Sequence, residues 1–394
     1  MGLSSRSVLV GLTAIAMVGP ALPAMAAESV GVIRSAGGAT AVADSYIVVF
    51  KDSAVSRAAV ETSVDHLLDR HGGQVARTFA AALRGAEVRM DAATAARMAA
   101  DPTVAYVEQN HTVSVANTQL NPPSWGLDRV DQRDLPLDNS YTYRNDALYT
   151  RSYIIDTGIR ATHQDFTSRV NWGTNTVDSI DTDCHGHGTH VAGTVGGAEH
   201  GIAKLTRLVA VKVLDCTGIG TLAGVIEGVD WVTVDAQEGP RAVANMSLGS
   251  VASSAVDDAV SNSIDSGVTY VVAAGNSSDD ACNYSPARVP EAITVGSTTS
   301  SDELSWFSNY GSCLDIFAPG SSITAPWIDS DTSTNTISGT SMAAPHVAGA
   351  VVMVLWDDPF ATTQEVRDAL VDNATNGVID SPGAGSPNKL LYIE

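Results

Sequence analysis

The chain has 394 residues, 44% hydrophobic and 6% aromatic, which supplies enough apolar mass for a sizeable core and for more than one domain. Its formal net charge of −22 is uneven: residues 1–116 hold 9 Lys+Arg against 10 Asp+Glu, residues 117–394 hold 13 against 34. So acidic a second part argues against nucleic acid or an anionic membrane as partner, since both require basic patches, and it suits solubility or cation binding.

The start, "MGLSSRSVLVGLTAIAMVGPALPAMAAES", carries one arginine, an apolar stretch from Val8 to Val18 and then Ala24-Met25-Ala26. This is the pattern of a secretory signal peptide over residues 1–26, with cleavage after Ala26. The apolar run is too short for a membrane anchor and no later run is long enough to span a bilayer, so an exported, extracellular, soluble product is expected.

Within residues 27–116, the segment 45–113 reads as a small α+β domain. "SYIVVF" is a strand, "VSRAAVETSVDHLLDRHG" an amphipathic helix ending at Gly72, "GAEVRM" a strand, "DAATAARMAAD" a helix started by Asp91, and "VAYVEQ" a last strand. The polar stretch "SVANTQLNPPS", 114–124, with its two prolines, reads as a linker. From Trp125 onward apolar runs alternate with helical patterns: "YIIDTG" with "HGTHVAGTVGG", "LVAVKVLD" with "LAGVIEGVDWVTVDA", "AVANMSLG" with "SAVDDAVSNSIDSG", then "TYVVAAGN" and "AITVGSTT". Strand and helix in alternation predict βαβ units, an α/β fold with a largely parallel sheet covered on both faces.

All four cysteines, Cys184, Cys216, Cys282 and Cys313, lie in this second part. In an exported chain they read as two disulfides, with three pairings open; sequential pairing closes loops worth about 3 to 4 kcal/mol each on the chain-entropy model. A zinc site competes, but no Cys-x-x-Cys spacing supports it.

In a parallel sheet, active sites collect at the carboxyl ends of strands. "YIID" ends on Asp156, a carboxylate that costs desolvation unless something binds it. "DCHGHGTHVAGTVGG", 183–197, places histidine beside glycines at the start of a small-residue helix, and "VVAAGN" ends on Asn276, an amide donor. Ser341, in "TISGTSMAAPHVAGAVVMVLW", follows Gly339 and precedes Pro345, which reads as a first-turn proline. Alone, Ser341 reads first as a helix cap. With an acid, a base and an oxyanion donor at matching topological positions, it reads as a nucleophile. His185, His187 and His190 could bind zinc, but there is no His-Glu-x-x-His pattern and that reading leaves Asn276 and Ser341 without a role.

The motifs "YIIDTGI", "HGHGTHVAGT" and "SGTSMAAPHVAG", in that order, resemble the subtilisin-like serine proteases, whose acid, base and nucleophile follow in the chain order Asp, His, Ser. "WGLDRVDQRDLPLDNSYTY", "VKVLDC", "VANMSLG", "ACNYSPARV", "WFSNYGSC" and "GSPNKLLY" narrow the resemblance to the proteinase K and aqualysin branch. It covers nearly all of 125–394, and 45–113 resembles the inhibitory propeptide of such enzymes. The resemblance implies a subtilisin-like three-layer fold over 117–394 and a monomeric endopeptidase made as a precursor. The propeptide would be chaperone and inhibitor, with the mature start between His111 and Gln119.

On the same resemblance, Asp156 orients the base, His187 is the base, Ser341 is the nucleophile, and Asn276 with the Ser341 N–H forms the oxyanion hole. Polypeptide substrate would lie extended between "TGIGT", 217–221, and "SLG", with Gly218, Ile219 and Gly220 on one side and Ser247, Leu248 and Gly249 on the other. Ala273, Ala274 and Gly275 would line a pocket for an apolar or aromatic residue before the scissile bond. Two structural calcium sites are implied, one from Asp315 with the carbonyls of Pro290 and Ala292, the other from Asp128, Asp131, Gln132 and Asp138. The disulfide pattern of the branch is 184 with 216 and 282 with 313. His185, His190 and His346 fall to structural roles, and Met342 to packing.

The chain departs from the family where "RNDALYTRSYIID" puts Arg151 and Ser152 in place of apolar and small residues, which predicts a weakened strand ahead of Asp156. Ala344 stands where a hydroxyl residue is common. Two rival readings compete. A non-catalytic binding module would lack a triad member, and none is missing. An α/β-hydrolase esterase needs Gly-x-Ser-x-Gly and the order Ser, Asp, His, whereas this chain has "GTSMA" and the reverse order.

Overall fold

The computed structural model describes residues 30–37, 41–111, 117–237 and 242–393. The expected signal segment and residues 112–116 of the expected processing region lie outside them. The chain divides into two compact units after Thr112.

In the first unit five strands order as Ile33–Arg34, Val104–His111, Ala41–Phe50, Gly85–Arg89 and Gln74–Phe79. Helices Val60–His71 and Ala92–Ala99 contribute Val64, Leu67 and Met98 to a core shared with Val48, Phe50 and Val107. Asp91 caps the second helix, its carboxylate accepting from the Thr94 N–H at 2.7 Å. The strand Gln74–Phe79 was not foreseen; it is an edge strand whose residues are exposed up to Phe79, so it lacks the buried alternation that marks a strand in sequence.

The second unit is built on a nine-stranded sheet. Its strands in chain order are β1 (Arg151–Asp156), β2 (Val170–Asn175), β3 (Arg207–Lys212), β4 (Ala242–Met246), β5 (Thr269–Ala273), β6 (Ile293–Thr298), β7 (Ile316–Pro319), β8 (Thr375–Asn376) and β9 (Lys389–Leu390). The spatial order is β8-β9-β7-β6-β5-β4-β1-β3-β2, parallel throughout except for the short β8–β9 pair. Order reverses beside β1, the topological switch where such folds place ligands.

Helices α1 (His187–Gly196) and α4 (Thr340–Asp357) cover one face; α2 (Leu222–Ala236) and α3 (Ser254–Asp265) cover the other. Successive strand residues alternate between the two cores: Ile154, Leu208 and Val243 belong to the first, Tyr153, Ile155, Val209 and Ala244 to the second. That period of two, buried on both sides, explains the near-continuous apolar strands.

Two local expectations are corrected. Residues 117–120, read as linker, form a strand antiparallel to Ser140–Tyr143. The feared weakness at Arg151 and Ser152 is absent: β1 pairs with β3 and β4 from Arg151 onward. Arg151 Nη1 donates to Asp235 Oδ2 at 2.6 Å and to Tyr153 Oη at 2.9 Å, and buried Ser152 shares a hydrogen bond with Thr206 Oγ1. Polar partners on neighbouring elements replace the apolar contacts that the usual residues would make.

Candidate active site

Asp156 ends β1 with no exposed surface, beside Thr157 and Gly158. An isolated buried carboxylate is costly, and here it is matched: the Thr157 N–H donates to Oδ1 at 2.8 Å, and His187 Nδ1 lies 2.8 and 2.9 Å from the two oxygens. His187 is the first residue of α1, and Gly186 before it has φ +106°. A Cβ on Gly188 would stand 2.2 Å from the Gly158 carbonyl oxygen, so only glycine lets this helix start meet the β1 end.

Asp183, which sequence reasoning passed over, braces that helix start. Its Oδ1 accepts from Thr157 Oγ1 and the N–H groups of His185 and Gly186, each at 2.9 Å; its Oδ2 accepts from the N–H and hydroxyl of Thr189 at 2.9 and 2.6 Å. Thr157 Oγ1 in turn accepts from the Gly188 N–H at 2.9 Å. Burial opposes the imidazolium form of His187, but the Asp156 charge and hydrogen bond, with Asp183 behind them, outweigh it and hold the imidazole above its ordinary range. With Nδ1 committed to Asp156, Nε2 is the nitrogen left for chemistry.

Ser341 is the second residue of α4. Its Oγ donates to the Ser247 carbonyl at 3.0 Å rather than to His187, and Ser247 Oγ donates to the Ser341 carbonyl at 2.9 Å. Pro345 explains the second bond. It sits in the second turn of α4, not the first as expected, and lacks the N–H that would bond the carbonyl four residues back, which is that of Ser341.

Asn276 follows β5, its Oδ1 accepting from the Thr340 N–H at 2.8 Å and from Thr340 Oγ1 at 2.9 Å. Those bonds fix the amide so that Nδ2 is the free end. A Cβ built on Gly339 would lie 3.5 Å from Ser341 N and 3.6 Å from Asn276 Nδ2, so both donors border one small space.

Two clefts meet here. One of about 440 Å³ is lined by His185, His187, Gly218, Ile219, Gly220, Ser247, Leu248 and Gly249 among others. A second of about 340 Å³ is lined by Leu248, Gly249, Ala273, Ala274, Gly275, Asn276 and Ser341, with Tyr284 and Ala287, and no charged side chain faces it. The disulfides are Cys184–Cys216 and Cys282–Cys313, and the first ties the loop entering α1 to the loop that lines the larger cleft.

Of the three histidines expected to be structural, His190 and His346 bond main-chain carbonyls, whereas His185 Nδ1 is buried without a partner. His190 Nε2 lies 3.1 and 3.2 Å from the carbonyls of Ile323 and Asn335, and burial pushes its pKa down to about 3. Burial holds His346 at about 4, its Nδ1 on the Met342 carbonyl. Among the described residues no group of three or more His, Cys, Asp or Glu side chains is arranged to hold a metal ion.

The two expected calcium sets differ. In the first, Arg367 takes the cation's place: its Nε donates to Asp315 Oδ1 at 3.0 Å, its Nη2 to the same oxygen, and its Nη1 to the Pro290 carbonyl at 2.9 Å. This set therefore does not fit a calcium ion. In the second, Asp128 accepts from the N–H groups of Asp138 and Asn139, Gln132 Oε1 from that of Asp138, and Asp131 Oδ2 from that of Thr142. Asp131 Oδ1 is buried without a partner, and burial, reinforced by Asp138 and Asp128, pushes this carboxyl up to about 7. The orphaned oxygen and the crowding are what a hard cation would relieve, although the three carboxylates as they stand do not converge on one point.

A carboxylate–imidazole pair at the switch point of a parallel α/β sheet, with a serine at a helix start and two N–H donors beside it, is the layout of a serine hydrolase. Comparison with known proteins narrows that class. The Subtilase family model matches residues 153–389 and the Peptidase inhibitor I9 model matches 45–116. An extracellular serine proteinase of Thermus sp. (strain Rt41A) is 49% identical over 366 residues, 88% of this chain and 88% of its own length. Alkaline serine exoprotease A of Vibrio alginolyticus is 44% identical, over 89% of this chain and 68% of its own. The crystal structure of a cold-adapted subtilisin-like serine proteinase is 50% identical with a TM-score of 0.66, covering 68% of this chain and 98% of that one. The chain belongs to the subtilase family, as a subtilisin-like serine protease of the proteinase K and aqualysin branch preceded by an inhibitory propeptide domain.

Proposed function

We propose that the protein is a secreted endopeptidase of broad specificity, autoprocessed from a precursor, that cleaves peptide bonds through an acyl-enzyme on Ser341. Ser341 Oγ turns from the Ser247 carbonyl toward His187 when substrate fills the cleft, and attacks the scissile carbonyl. His187 Nε2 takes the hydroxyl proton and later gives it to the leaving amine, while Asp156 holds Nδ1–H and balances the imidazolium. Asn276 Nδ2 and the Ser341 N–H receive the oxyanion. Water then enters by the same base and frees the acyl group.

The observation that carries this reading is the pairing of His187 with the fully buried Asp156 carboxylate, together with the two donors that border the space at Gly339. Substrate backbone pairs with 218–220 and 247–249, which is indifferent to side chains, and the uncharged second cleft favours an apolar or aromatic residue before the scissile bond. Residues 27–116 act as propeptide, inhibitor and folding aid, the leader 1–26 directs export, and the mature enzyme is a monomer whose Asp128, Asp131, Gln132 and Asp138 bind a structural calcium. Support for export comes from the leader pattern and from the Thermus relative, itself called extracellular.

Expression of the full chain beside Ser341→Ala tests the proposal. The unmutated chain is expected to shorten near residue 116 and to cleave peptides with an apolar residue before the bond, the variant to do neither. Equal shortening and cleavage by both would overturn it.

A further inference from the structure

Arg367 lies on α5 (Thr363–Asn373), and Asp315 immediately precedes β7. The pair brings a tethered cation to a place where the fold gathers oxygens. Asp315 Oδ2 accepts from the Thr294 N–H at 2.8 Å, Oδ1 accepts from two nitrogens of Arg367, and the Pro290 carbonyl takes a third. Asp315 is 9% exposed at its side chain and Arg367 27%, so the contact is largely shielded from solvent. Around it is a cavity of about 120 Å³ lined by Arg288, Val289, Pro290, Ser312, Cys313, Asp315 and Arg367. The cavity wall thus carries two guanidinium groups and one carboxylate, and Arg288 is paired with Asp257 at 2.6 Å.

Calcium needs six to eight oxygen ligands and enough negative charge to repay its dehydration. Neither is left here: one carboxylate oxygen and a carbonyl already receive three guanidinium bonds, and the local charge is neutralised. A planar guanidinium is suited to bridging a carboxylate and a carbonyl at once.

We infer that Arg367 is a built-in substitute for a divalent cation, holding Pro290 and Asp315 in place at any calcium concentration, and that it masks a latent calcium site which its removal uncovers. The inference is independent of catalysis. It separates the two calcium sets, leaving the Asp131 cluster as the cation-responsive one and making the Asp315 region metal-independent.

The test uses the full chain carrying Ser341→Ala, so that self-cleavage does not blur the signal, with calcium alone as the ligand. Calcium stoichiometry by titration calorimetry and the melting shift between EDTA and calcium are compared in this parent, in Arg367→Ala, in Arg367→Ala with Asp315→Asn, and in Asp315→Asn alone. Arg367→Ala is expected to bind an additional calcium, with an affinity on the order of 10⁻⁴ to 10⁻³ M, and to melt lower than the parent in EDTA while recovering in calcium. Adding Asp315→Asn should abolish the additional ion, and Asp315→Asn alone should leave the parent's stoichiometry unchanged.

Two results overturn the inference: Arg367→Ala binding no more calcium than the parent, or Asp315→Asn alone removing an ion from the parent. Should Arg367→Ala fail to fold, Arg367→Gln replaces it in the same comparisons. Arg367→Lys, which keeps the charge, is expected to gain no calcium, and a gain there counts against the inference.

Discussion

Replacing Asp183 by Asn separates the shape of the His187 cradle from its charge. The carboxylate accepts five hydrogen bonds within the segment 157–189, none of them to bulk water. An amide keeps three of them at Oδ1 but turns an NH₂ group toward Thr189, whose hydroxyl can rotate to accept while its N–H cannot. One buried N–H is then orphaned, at about 1–3 kcal/mol, and the surviving bonds fall from the charge-assisted range of about 1.5–3 to about 0.5–1.5 kcal/mol each. Relaxation recovers part of that sum, so a net loss of about 3 kcal/mol is expected, a melting point lower by about 6–12 °C for a domain of this size. Because Asp183 also helps to raise the His187 pKa, the acid limb of kcat/KM, which reports loss of the proton from the base and lies above its ordinary 6.5, should move to lower pH in Asp183→Asn. Thermal melts in the Ser341→Ala background and a pH profile of the active chain give both readouts. A variant that melts within about 1 °C of the parent with an unmoved acid limb would refute the reasoning.

Asn276→Ala should lower kcat by about 10² to 10³ with little change in KM, a magnitude established on subtilisin, a member of this family; peptide hydrolysis kinetics check it. Arg151→Ala should cost only about 1 kcal/mol in denaturant melts, because both partners of its ion pair are partly exposed, and should leave kcat/KM unaltered. Asp131 carries the opposite sign to a well-paired carboxylate. Its folded pKa of about 7 exceeds the unfolded value, so in EDTA its burial destabilises increasingly as pH rises from about 4 toward 7. That decline should flatten in Asp131→Asn, and calcium should remove it in the parent; melts across pH with and without calcium decide.

What the sequence disclosed and what it hid follow from distance along the chain. Asp156, Asn276, His187 and Ser341 were legible because each stands where a local pattern changes, at the end of an apolar strand or the start of a small-residue helix. The two-sided sheet was legible for the same reason, since the runs at 208–213 and 242–246 are apolar without alternation, broken only by Lys212 and Asn245. Partners that meet only in the fold left no such trace. Arg151 looked like a defect because Asp235, which neutralises it, lies 84 residues on. Arg367 lies 52 residues from Asp315, so nothing in "TTQEVRDAL" announces that it fills a cation's place. Thr340, which fixes the Asn276 amide from 64 residues away, likewise carries no mark in the sequence. Asp183 is the partial exception: a carboxylate two residues before "HGHGTH" was within the quoted motif, but its role depends on five donors that folding brings around it.

The central claim is that Ser341 is a nucleophile made reactive by His187. Treatment of the active chain with a fluorophosphonate, followed by peptide mass spectrometry, tests it directly. The account predicts a single phosphonyl adduct on the peptide that contains Ser341, lost with activity in Ser341→Ala and slowed at least about 10³-fold in His187→Ala, the scale on which triad members act. An adduct on another residue, or peptide hydrolysis that survives complete modification of Ser341, would contradict it.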